Sequence, residues 1–438
     1  MYDKNNPNKL MPDPTSEGKT HFISPQLLKL LNYQTPIRQF FTQATYMRRR
    51  TEPGSIDFSI GDAHEIPPPG FVEALQRWSV PQNQGWYGYK GNIPESRIAV
   101  SAALQDKRGL SILPEDIFMT NGTAVGLAIC LKMLAGEGDE VIILTPPWLG
   151  YRSMVNFTGA VPVGVPVDTN TFDMDLQAIA SAITERTRAI IINSPHNPTG
   201  KIFSASTLES LSGILNEASK HYGKPIYIIS DETFSRIVFD NQTCPSPTQF
   251  YPFSFLVYGY SKTLMAPGQR IGYIALPPTM PNREEIKRII AFLQQTPFGW
   301  CYPSVLMQYA LGDLEQLNIN IEHLQNKRDR MVKALRDMGY NLYNPDGTFF
   351  LLVKSPWEDD LAFAELLASQ HNIFVLPGTP QEIPGYFRIS LTANEEMISR
   401  SLPKFQAAME YTIANPVAYP SSVTKPQSII EPNLSNQS

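Results

Sequence analysis

The chain has 438 residues, of which 42% are hydrophobic and 18% are charged, and these proportions are typical of globular proteins. Its formal net charge of −5 gives no bulk electrostatic reason to expect binding to nucleic acid. No apolar run is long enough to span a membrane, and the first residues lack a secretory signal pattern. The sparse, widely spaced cysteines favour a reducing compartment, the cytoplasm, and give no metal-binding pattern.

The N-terminal residues have little regular pattern. Residues 1–21 are polar and contain several prolines, which predicts a flexible arm. Residues 22–59 contain an amphipathic stretch around Leu27 and Phe40 and then an alternating strand pattern at 56–60. We assign residues 22–59 to a segment that joins the smaller of two domains.

Strand and helix patterns alternate between residues 60 and 310. The predicted strands lie near residues 116–120, 140–144, 161–167, 188–193, 225–230, 255–258 and 271–276. The sequence Ser206-Thr-Leu-Glu209 predicts a capping box that starts one of the helices. This alternation predicts an α/β fold whose large domain has a doubly wound, mainly parallel seven-stranded sheet. Ligands of such sheets bind at the carboxyl ends of the strands.

The C-terminal part predicts a smaller α+β domain over residues 311–411. A long helical pattern runs through residues 283–338 and leads into it. Strand patterns follow near 349–353, 373–376 and 386–391, with helices near 360–370 and 395–411. Residues 412–438 are rich in Pro, Ser and Asn, which predicts a disordered tail.

Chemically distinctive residues follow the predicted strands of the large domain. They are a helix-starting Asn-Gly-Thr sequence, an aromatic ring, an amide, a carboxylate, an amine and a guanidinium: Asn121–Thr123, Trp148, Asn197, Asp231, Lys262 and Arg270. A helix N-terminus suits a phosphate. A lysine in a partly apolar site near a second cation loses its proton more easily and can act as a nucleophile. The set fits a phosphorylated planar heterocycle that carries an aldehyde.

Three short sequences carry a resemblance to a known family. They are Ser-Pro-His-Asn-Pro-Thr-Gly at 194–200, Asp-Glu-x-Phe from Asp231, and Ser-Lys at 261–262 with Arg270 eight residues later. Each is weak alone, but their order and spacing are specific. Over about residues 22–411 the chain resembles class I/II aminotransferases, pyridoxal-phosphate enzymes of the aspartate-aminotransferase fold. The resemblance implies transfer of an amino group between an α-amino acid and a 2-oxo acid by a ping-pong Schiff-base mechanism.

The resemblance also implies a role for each cofactor residue. Lys262 is expected to hold pyridoxal 5′-phosphate as a Schiff base and then to carry a proton as general base and acid. Asp231 is expected to pair with the ring nitrogen, Trp148 to stack on the ring, and Asn197 to bond the ring hydroxyl. The expected phosphate ligands are Gly122, Thr123, Ser261 and Arg270.

Substrate and subunit contacts are implied in the same way. Arg388 matches the arginine that grips the substrate α-carboxylate, and Gly61 matches a glycine whose backbone lies beside it; Asn197 also borders the substrate. Tyr87 matches a tyrosine that reaches the phosphate of the neighbouring subunit. The resemblance therefore implies a homodimer with shared active sites.

The chain departs from the family pattern at two positions. Phe234 stands where many relatives have a tyrosine that donates to the ring oxygen, so we expect Asn197 to be its main partner and the Schiff-base pKa to be raised. Gly259 stands where many relatives have a serine on the phosphate. The grip on the phosphate is then expected to depend more on Ser261 and Arg270.

Substrate choice and reaction type are less constrained by the sequence. Residues 295–303 are aromatic and contain no arginine, which favours a neutral or aromatic amino acid. An alternative is a pyridoxal-phosphate lyase, cyclase or replacement enzyme on the same fold, since such enzymes use the same lysine, aspartate and arginine. A non-catalytic regulatory relative is disfavoured because the catalytic set is complete.

Overall fold

The computed structural model describes Leu27, Phe40–Phe41 and residues 44–62 and 65–416. The predicted arm, most of the predicted amphipathic stretch and the tail beyond residue 416 lie outside the described residues. The strands are β1 (Ile56–Asp57), β2 (Ile117–Thr120), β3 (Glu140–Thr145), β4 (Val161–Pro166), β5 (Thr187–Asn193), β6 (Tyr227–Asp231), β7 (Ser254–Gly259), β8 (Gly272–Ala275), β9 (Phe350–Lys354), β10 (Ile373–Phe374), β11 (Leu376–Pro377) and β12 (Tyr386–Ser390).

The helices lie between these strands. They are α1 (Phe71–Ser79), α2 (Pro94–Arg108), α3 (Thr123–Leu134), α4 (Tyr151–Thr158), α5 (Leu176–Ala182), α6 (Ala205–Tyr222), α7 (Arg283–Gln295), α8 (Val305–Tyr309), α9 (Leu311–Leu314), α10 (Ile321–Asp337), α11 (Asp360–His371) and α12 (Glu395–Ala414). Across the part of the chain that the structure describes, none of them combines the length and apolar character needed to cross a bilayer.

The predicted seven-stranded sheet is confirmed, with strand order β2-β8-β7-β6-β5-β3-β4. All neighbouring pairs are parallel except those of β8, which runs antiparallel to β2 and β7. Alternate residues of β5 face opposite sides of the sheet. Ile191 lies in an apolar cluster with residues of α3 and α4, whereas Ile190 and Ile192 lie in another cluster with residues of α6. Because helices cover both faces, the strand is apolar throughout its centre.

A second sheet, with order β11-β12-β9, is antiparallel. Along β12, Phe387 and Ile389 lie in the apolar cluster that also contains buried residues of α10 and α12. Arg388 lies between them in sequence and therefore points to the opposite face. Its register partner Leu352 belongs to the same cluster as Ile190 of the large sheet. The alternation of β12 thus directs one arginine toward the seven-stranded sheet.

The structure corrects three predictions of helix boundaries. Helix α6 begins at Ala205, and the cap is Ser204, whose Oγ accepts the backbone N–H of Thr207 at 3.1 Å, so the capping box predicted from Ser206 is wrong. Residues 283–338 form four separate helices, α7 to α10, instead of one continuous helical stretch. Pro303 lies in the break between α7 and α8, where its ring cannot continue a helix. Helix α12 continues to Ala414, beyond the predicted end at 411.

Candidate active site

Lys262 lies in the turn that follows β7. Its Nζ donates a hydrogen bond to the backbone oxygen of Gly61 at 3.3 Å and lies 5.4 Å from the centre of the Phe349 ring. Burial, followed by the positive charge of Arg388, lowers the pKa of Lys262 to about 8. A large fraction of the amine is therefore uncharged at mildly alkaline pH, which is the form that attacks an aldehyde.

Asp231, the last residue of β6, is a buried carboxylate with three donors. Its Oδ1 accepts the hydroxyl of Thr233 at 2.7 Å and the backbone N–H of Thr233 at 3.1 Å. Its Oδ2 accepts the hydroxyl of Tyr151 at 2.6 Å. Burial raises the pKa of Asp231, and these donors oppose that shift because they stabilise the charged form.

Trp148 and Tyr151 form an aromatic pair beside Asp231. The ring centres are 5.3 Å apart and the planes meet at 73°. A Cβ at Gly150 would lie 2.3 Å from the Trp148 ring, so only glycine leaves room for the ring in this position. The sequence analysis gave no role to Tyr151. Its spacing of three residues from Trp148, at the start of a helix, is the signal that could have indicated their contact.

Asn197 is held by a second asparagine that the sequence analysis also missed. The side-chain oxygen of Asn193 accepts the backbone N–H of Asn197 at 2.8 Å. The amide nitrogen of Asn193 donates to the backbone oxygen of Asp231 at 2.8 Å. Asn193 therefore fixes the loop that carries Asn197 relative to strand β6, which ends at Asp231.

Arg388 is buried and its partners are neutral. It donates to Asn197 Oδ1 at 3.1 Å and to the backbone oxygen of Ser59 at 3.1 Å, and its guanidinium carbon lies 3.9 Å from the centre of the Phe350 ring. Within residues 44–62 and 65–416, its buried Nε has no hydrogen-bond partner. Burial lowers the pKa of Arg388. A buried cation without a counter-ion is suited to bind a ligand carboxylate.

The predicted phosphate residues come together at the start of α3. Gly122 precedes this helix with φ of 84°, and a Cβ there would lie 2.5 Å from Nη2 of Arg270. Arg270 also donates to Ser261 Oγ at 3.2 Å. No described side chain caps α3, so its first N–H groups remain available to an anion.

Thr123 explains why residue 259 is a glycine. A Cβ at Gly259 would lie 2.2 Å from Thr123 Oγ1, so the threonine hydroxyl occupies the space that a serine side chain would need. This hydroxyl is hydrogen-bonded to the hydroxyl of Thr233 at 2.9 Å. Thr123 is thereby linked through Thr233 to Asp231.

Phe234 is buried in an aromatic group. Its ring meets those of Phe349 and Phe350 edge to face, with centre distances of 5.1 and 5.8 Å. These two rings are the ones that contact Lys262 and Arg388. The effect of Phe234 on the Schiff-base pKa stays a prediction.

Tyr87 lies at the surface, away from this set of contacts. Its side chain is 54% exposed, and its hydroxyl donates to the backbone oxygen of Ser79. The structure thus brings together every predicted site residue except Tyr87, which the sequence analysis placed in the site of a neighbouring subunit.

The described residues fit pyridoxal phosphate. The start of α3 with Arg270 offers amides and a cation to a phosphate, and Asp231 offers a buried carboxylate to a protonated ring nitrogen. Lys262 offers an amine of lowered pKa, and Arg388 offers a cation whose partners in the described part of the chain are neutral. These groups match the phosphate, ring and aldehyde of the cofactor and the carboxylate of an amino acid.

Comparisons with known proteins agree with this assignment. Residues 53–404 match the model of the aminotransferase class I and II family. A probable aspartate/prephenate aminotransferase of Aquifex aeolicus is 28% identical over 375 residues, which cover 81% of this chain and 91% of that protein. The aspartate/prephenate aminotransferase of Thermus thermophilus is 29% identical over 348 residues, covering 77% and 86%.

Solved structures give the same result. A crystal structure of an aminotransferase from Eubacterium rectale superposes with a TM-score of 0.82 at 30% identity, covering 89% of this chain and 99% of that one. The aspartate aminotransferase of Thermus thermophilus with maleate gives a TM-score of 0.74 at 26% identity, covering 88% and 99%. The chain therefore belongs to the class I and II aminotransferases, pyridoxal-phosphate-dependent enzymes that transfer an amino group between an amino acid and a 2-oxo acid.

Proposed function

We propose that this enzyme takes the amino group from a neutral or aromatic α-amino acid and gives it to a 2-oxo acid, with Lys262 as the proton carrier. One observation carries the proposal: a buried amine of lowered pKa shares one site with a buried guanidinium whose Nε has no partner among the described residues. Such a pair supplies both requirements of the reaction, a base for the α-proton and a grip on the α-carboxylate.

Each residue has a defined task in this proposal. When bound, pyridoxal phosphate supplies an aldehyde for the amino group and a ring that accepts the electron pair left at the α-carbon. Lys262 Nζ would take the α-proton and would return a proton to the aldehyde carbon of the cofactor, which is separated from the α-carbon by the transferred nitrogen. Asp231 keeps the proton on the ring nitrogen, and Trp148 lies on the ring face. Arg388 holds the α-carboxylate, and Asn197 orients Arg388 through the 3.1 Å hydrogen bond.

The phosphate is assigned to the residues at the start of α3. The amides of Gly122 and Thr123, the Ser261 hydroxyl and the Arg270 guanidinium are its proposed ligands. They fix one end of the cofactor while the ring nitrogen is fixed at the other end by Asp231. The charges of Arg270 and Asp231 both act on Lys262, which would reach the reacting carbon.

The side chain of the substrate is proposed to be neutral or aromatic because the surroundings of Lys262 and Arg388 are aromatic. Phe349 and Phe350 contact these two residues directly. The cations that act most strongly on Lys262 are Arg388 and Arg270, and both already have a proposed ligand. Aspartate is the second candidate, since several relatives are named aspartate or aspartate/prephenate aminotransferases.

A panel of amino donors separates these candidates. The holoenzyme is mixed with excess phenylalanine, tyrosine, leucine, aspartate or glutamate, and the change in cofactor absorbance is followed in a single half-reaction. We expect larger specificity constants for phenylalanine, tyrosine or leucine than for aspartate. A clear preference for aspartate and glutamate as donors would overturn the side-chain assignment. Repeated turnover without a keto-acid acceptor would instead indicate the lyase or cyclase alternative, because transamination stops after a single half-reaction.

The proposal includes a homodimer with shared sites. It is supported by an exposed aromatic surface in which Tyr89, 91% exposed, meets Trp300 with ring centres 5.6 Å apart, close in sequence to exposed Tyr87. A second copy of the chain covering this surface would bring Tyr87 to the neighbouring phosphate.

We also propose a cytoplasmic location and a division of the chain into two domains. The three cysteines are unpaired, which supports a reducing location, the cytoplasm. The seven-stranded sheet and the separate three-stranded sheet support a large domain over residues 60–310 and a small one over 311–411.

A further inference from the structure

The hydroxyl of Tyr151 fills one hydrogen-bond acceptor position of the Asp231 carboxylate. A carboxylate oxygen has two lone pairs that can accept hydrogen bonds. Both positions of Oδ1 are filled, by the hydroxyl and the backbone N–H of Thr233. Tyr151 fills one position of Oδ2 at 2.6 Å. One acceptor position of Oδ2 is left for the proton of a bound ring nitrogen.

The ring of Tyr151 has a second neighbour in Trp148. The two rings meet edge to face with their centres 5.3 Å apart, so Tyr151 supports the Trp148 indole on one side. The indole also packs against Gly150, where a side chain would collide with it. Tyr151 is buried at the first position of α4, so its own orientation is fixed by packing. The same residue therefore contacts the group proposed for the ring nitrogen and the group proposed for the ring face.

We propose that Tyr151 is a positioning residue for the cofactor ring. Its hydroxyl turns the Asp231 carboxylate so that one acceptor position of Oδ2 faces the ring nitrogen, and its aromatic ring holds Trp148 over the ring face. The inference rests on the roles proposed above for Asp231 and Trp148, and it goes beyond them by naming the residue that aligns both.

The protonation states of the pair are consistent with this role. Burial and the neighbouring Asp231 carboxylate raise the pKa of Tyr151 well above its usual value, so it remains a donor at neutral pH. The Tyr151 hydrogen bond lowers the pKa of Asp231 against the larger effect of burial, while the charge of Glu232 raises it. The charge of Asp231 in turn raises the pKa of Lys262, against the larger lowering by burial.

The inference is tested by comparing pyridoxal phosphate with an analogue that lacks the ring nitrogen. The full chain, freed of cofactor, is titrated with pyridoxal phosphate and with the analogue in which C–H replaces the ring nitrogen. For Tyr151→Phe we expect the dissociation constant of pyridoxal phosphate to rise about tenfold, because the carboxylate is no longer held toward the ring nitrogen and its hydrogen bond to that nitrogen weakens. The analogue should bind the variant and the wild type equally, because it makes no bond to Asp231. Tyr151→Leu, which also removes the ring beside Trp148, should weaken both.

Matched variants distinguish a failure of the role proposed for Tyr151 from a failure of the role proposed for Asp231. Tyr251→Phe removes another buried tyrosine hydroxyl, which donates to the backbone oxygen of Ile226 away from the site, and should change neither affinity. Asp231→Asn should weaken pyridoxal phosphate far more than the analogue. If it does and Tyr151→Phe affects both cofactors equally or neither, the role of Tyr151 is refuted. If Asp231→Asn itself fails to discriminate, the proposed role of Asp231 is overturned, and the inference with it.

Discussion

Arg388 donates a hydrogen bond to the side-chain oxygen of Asn197 across 3.1 Å, although the two residues are 191 positions apart in the chain. The bond joins the three-stranded sheet to the loop that follows β5. Because Asn197 and the Ser59 backbone oxygen are neutral, they orient the guanidinium without neutralising it. The charge of Arg388 is thus kept for a ligand.

Arg388→Gln is expected to abolish efficient use of amino acids while leaving the cofactor bound. Loss of a buried, bidentate partner for a carboxylate should lower kcat/KM for the amino donor by about 100-fold or more. Arg388→Lys should recover only part of this loss, because lysine keeps the charge but not the planar pair of donors. Half-reaction kinetics with a fixed donor measure the effect, and the exposed Arg330→Gln is the control. An unchanged KM in Arg388→Gln would mean that another group holds the carboxylate.

The lowered pKa of Lys262, about 8, predicts how cofactor capture depends on pH. Only the neutral amine attacks an aldehyde, so the rate at which the cofactor-free chain captures pyridoxal phosphate should rise with pH and level off above about 8. Burial is the main cause of the shift and the charge of Arg388 the second. Arg388→Gln should therefore move the midpoint to higher pH.

Stopped-flow absorbance across pH 6 to 10 measures that midpoint, with Lys262→Ala as the variant that forms no covalent product. A wild-type midpoint near the usual lysine value of about 10.4 would show that the site does not lower the pKa. A midpoint that Arg388→Gln leaves in place would assign the shift to burial and the charge of Arg270.

Gly259 and Thr123 are expected to be coupled in stability. A Cβ at residue 259 would lie 2.2 Å from Thr123 Oγ1, so Gly259→Ala should cost about 1–3 kcal/mol in the free energy of unfolding. Thr123→Ala removes that oxygen, and the added methyl is then expected to cost much less. A double-mutant cycle by denaturant unfolding gives the coupling. Gly213→Ala, where nothing lies within 4 Å of an added Cβ, is the matched control. Additive effects would refute the steric explanation of Gly259.

The sequence was sufficient to predict the sheet, and the grouping of the proposed site residues at one edge of it, for a physical reason. Central parallel strands are short, wholly apolar runs, and ligands bind where such strands end. Lys262, Asp231 and Asn197 each follow one of these runs, so order along the chain indicated proximity in space. The helix starting at Thr123 was predicted in the same way, from a glycine between a strand and an apolar helix.

The supporting residues could not be predicted because their contacts depend on three-dimensional orientation. Asn193 and Tyr151 act on Asp231 from 38 and 80 positions away, and neither belongs to a motif that indicates such a bond. The true cap of α6, Ser204, was missed because serine and threonine residues follow one another there. Local patterns offered several caps, and only the backbone geometry selects one.

Tyr87 provides a test of whether two subunits share each active site. Tyr87→Phe should weaken cofactor binding about tenfold, if its hydroxyl donates to the neighbouring phosphate. Lys262→Ala should be inactive. In a hybrid dimer of these two variants, one site has both Lys262 and Tyr87 intact. Activity at limiting cofactor should therefore exceed that of either variant alone.

The control for this mixing experiment is a chain that carries both substitutions. Mixed with Tyr87→Phe, it forms hybrids in which no site has both residues, so no activity should be regained. Hybrid formation is checked independently with differently tagged chains, so that a lack of activity cannot be due to a lack of hybrids. Complementation itself requires a shared site, because only then do Lys262 and Tyr87 of different chains meet. Hybrids that form without regaining activity would place Tyr87 outside the neighbouring site and leave its bond to the Ser79 backbone oxygen as its function.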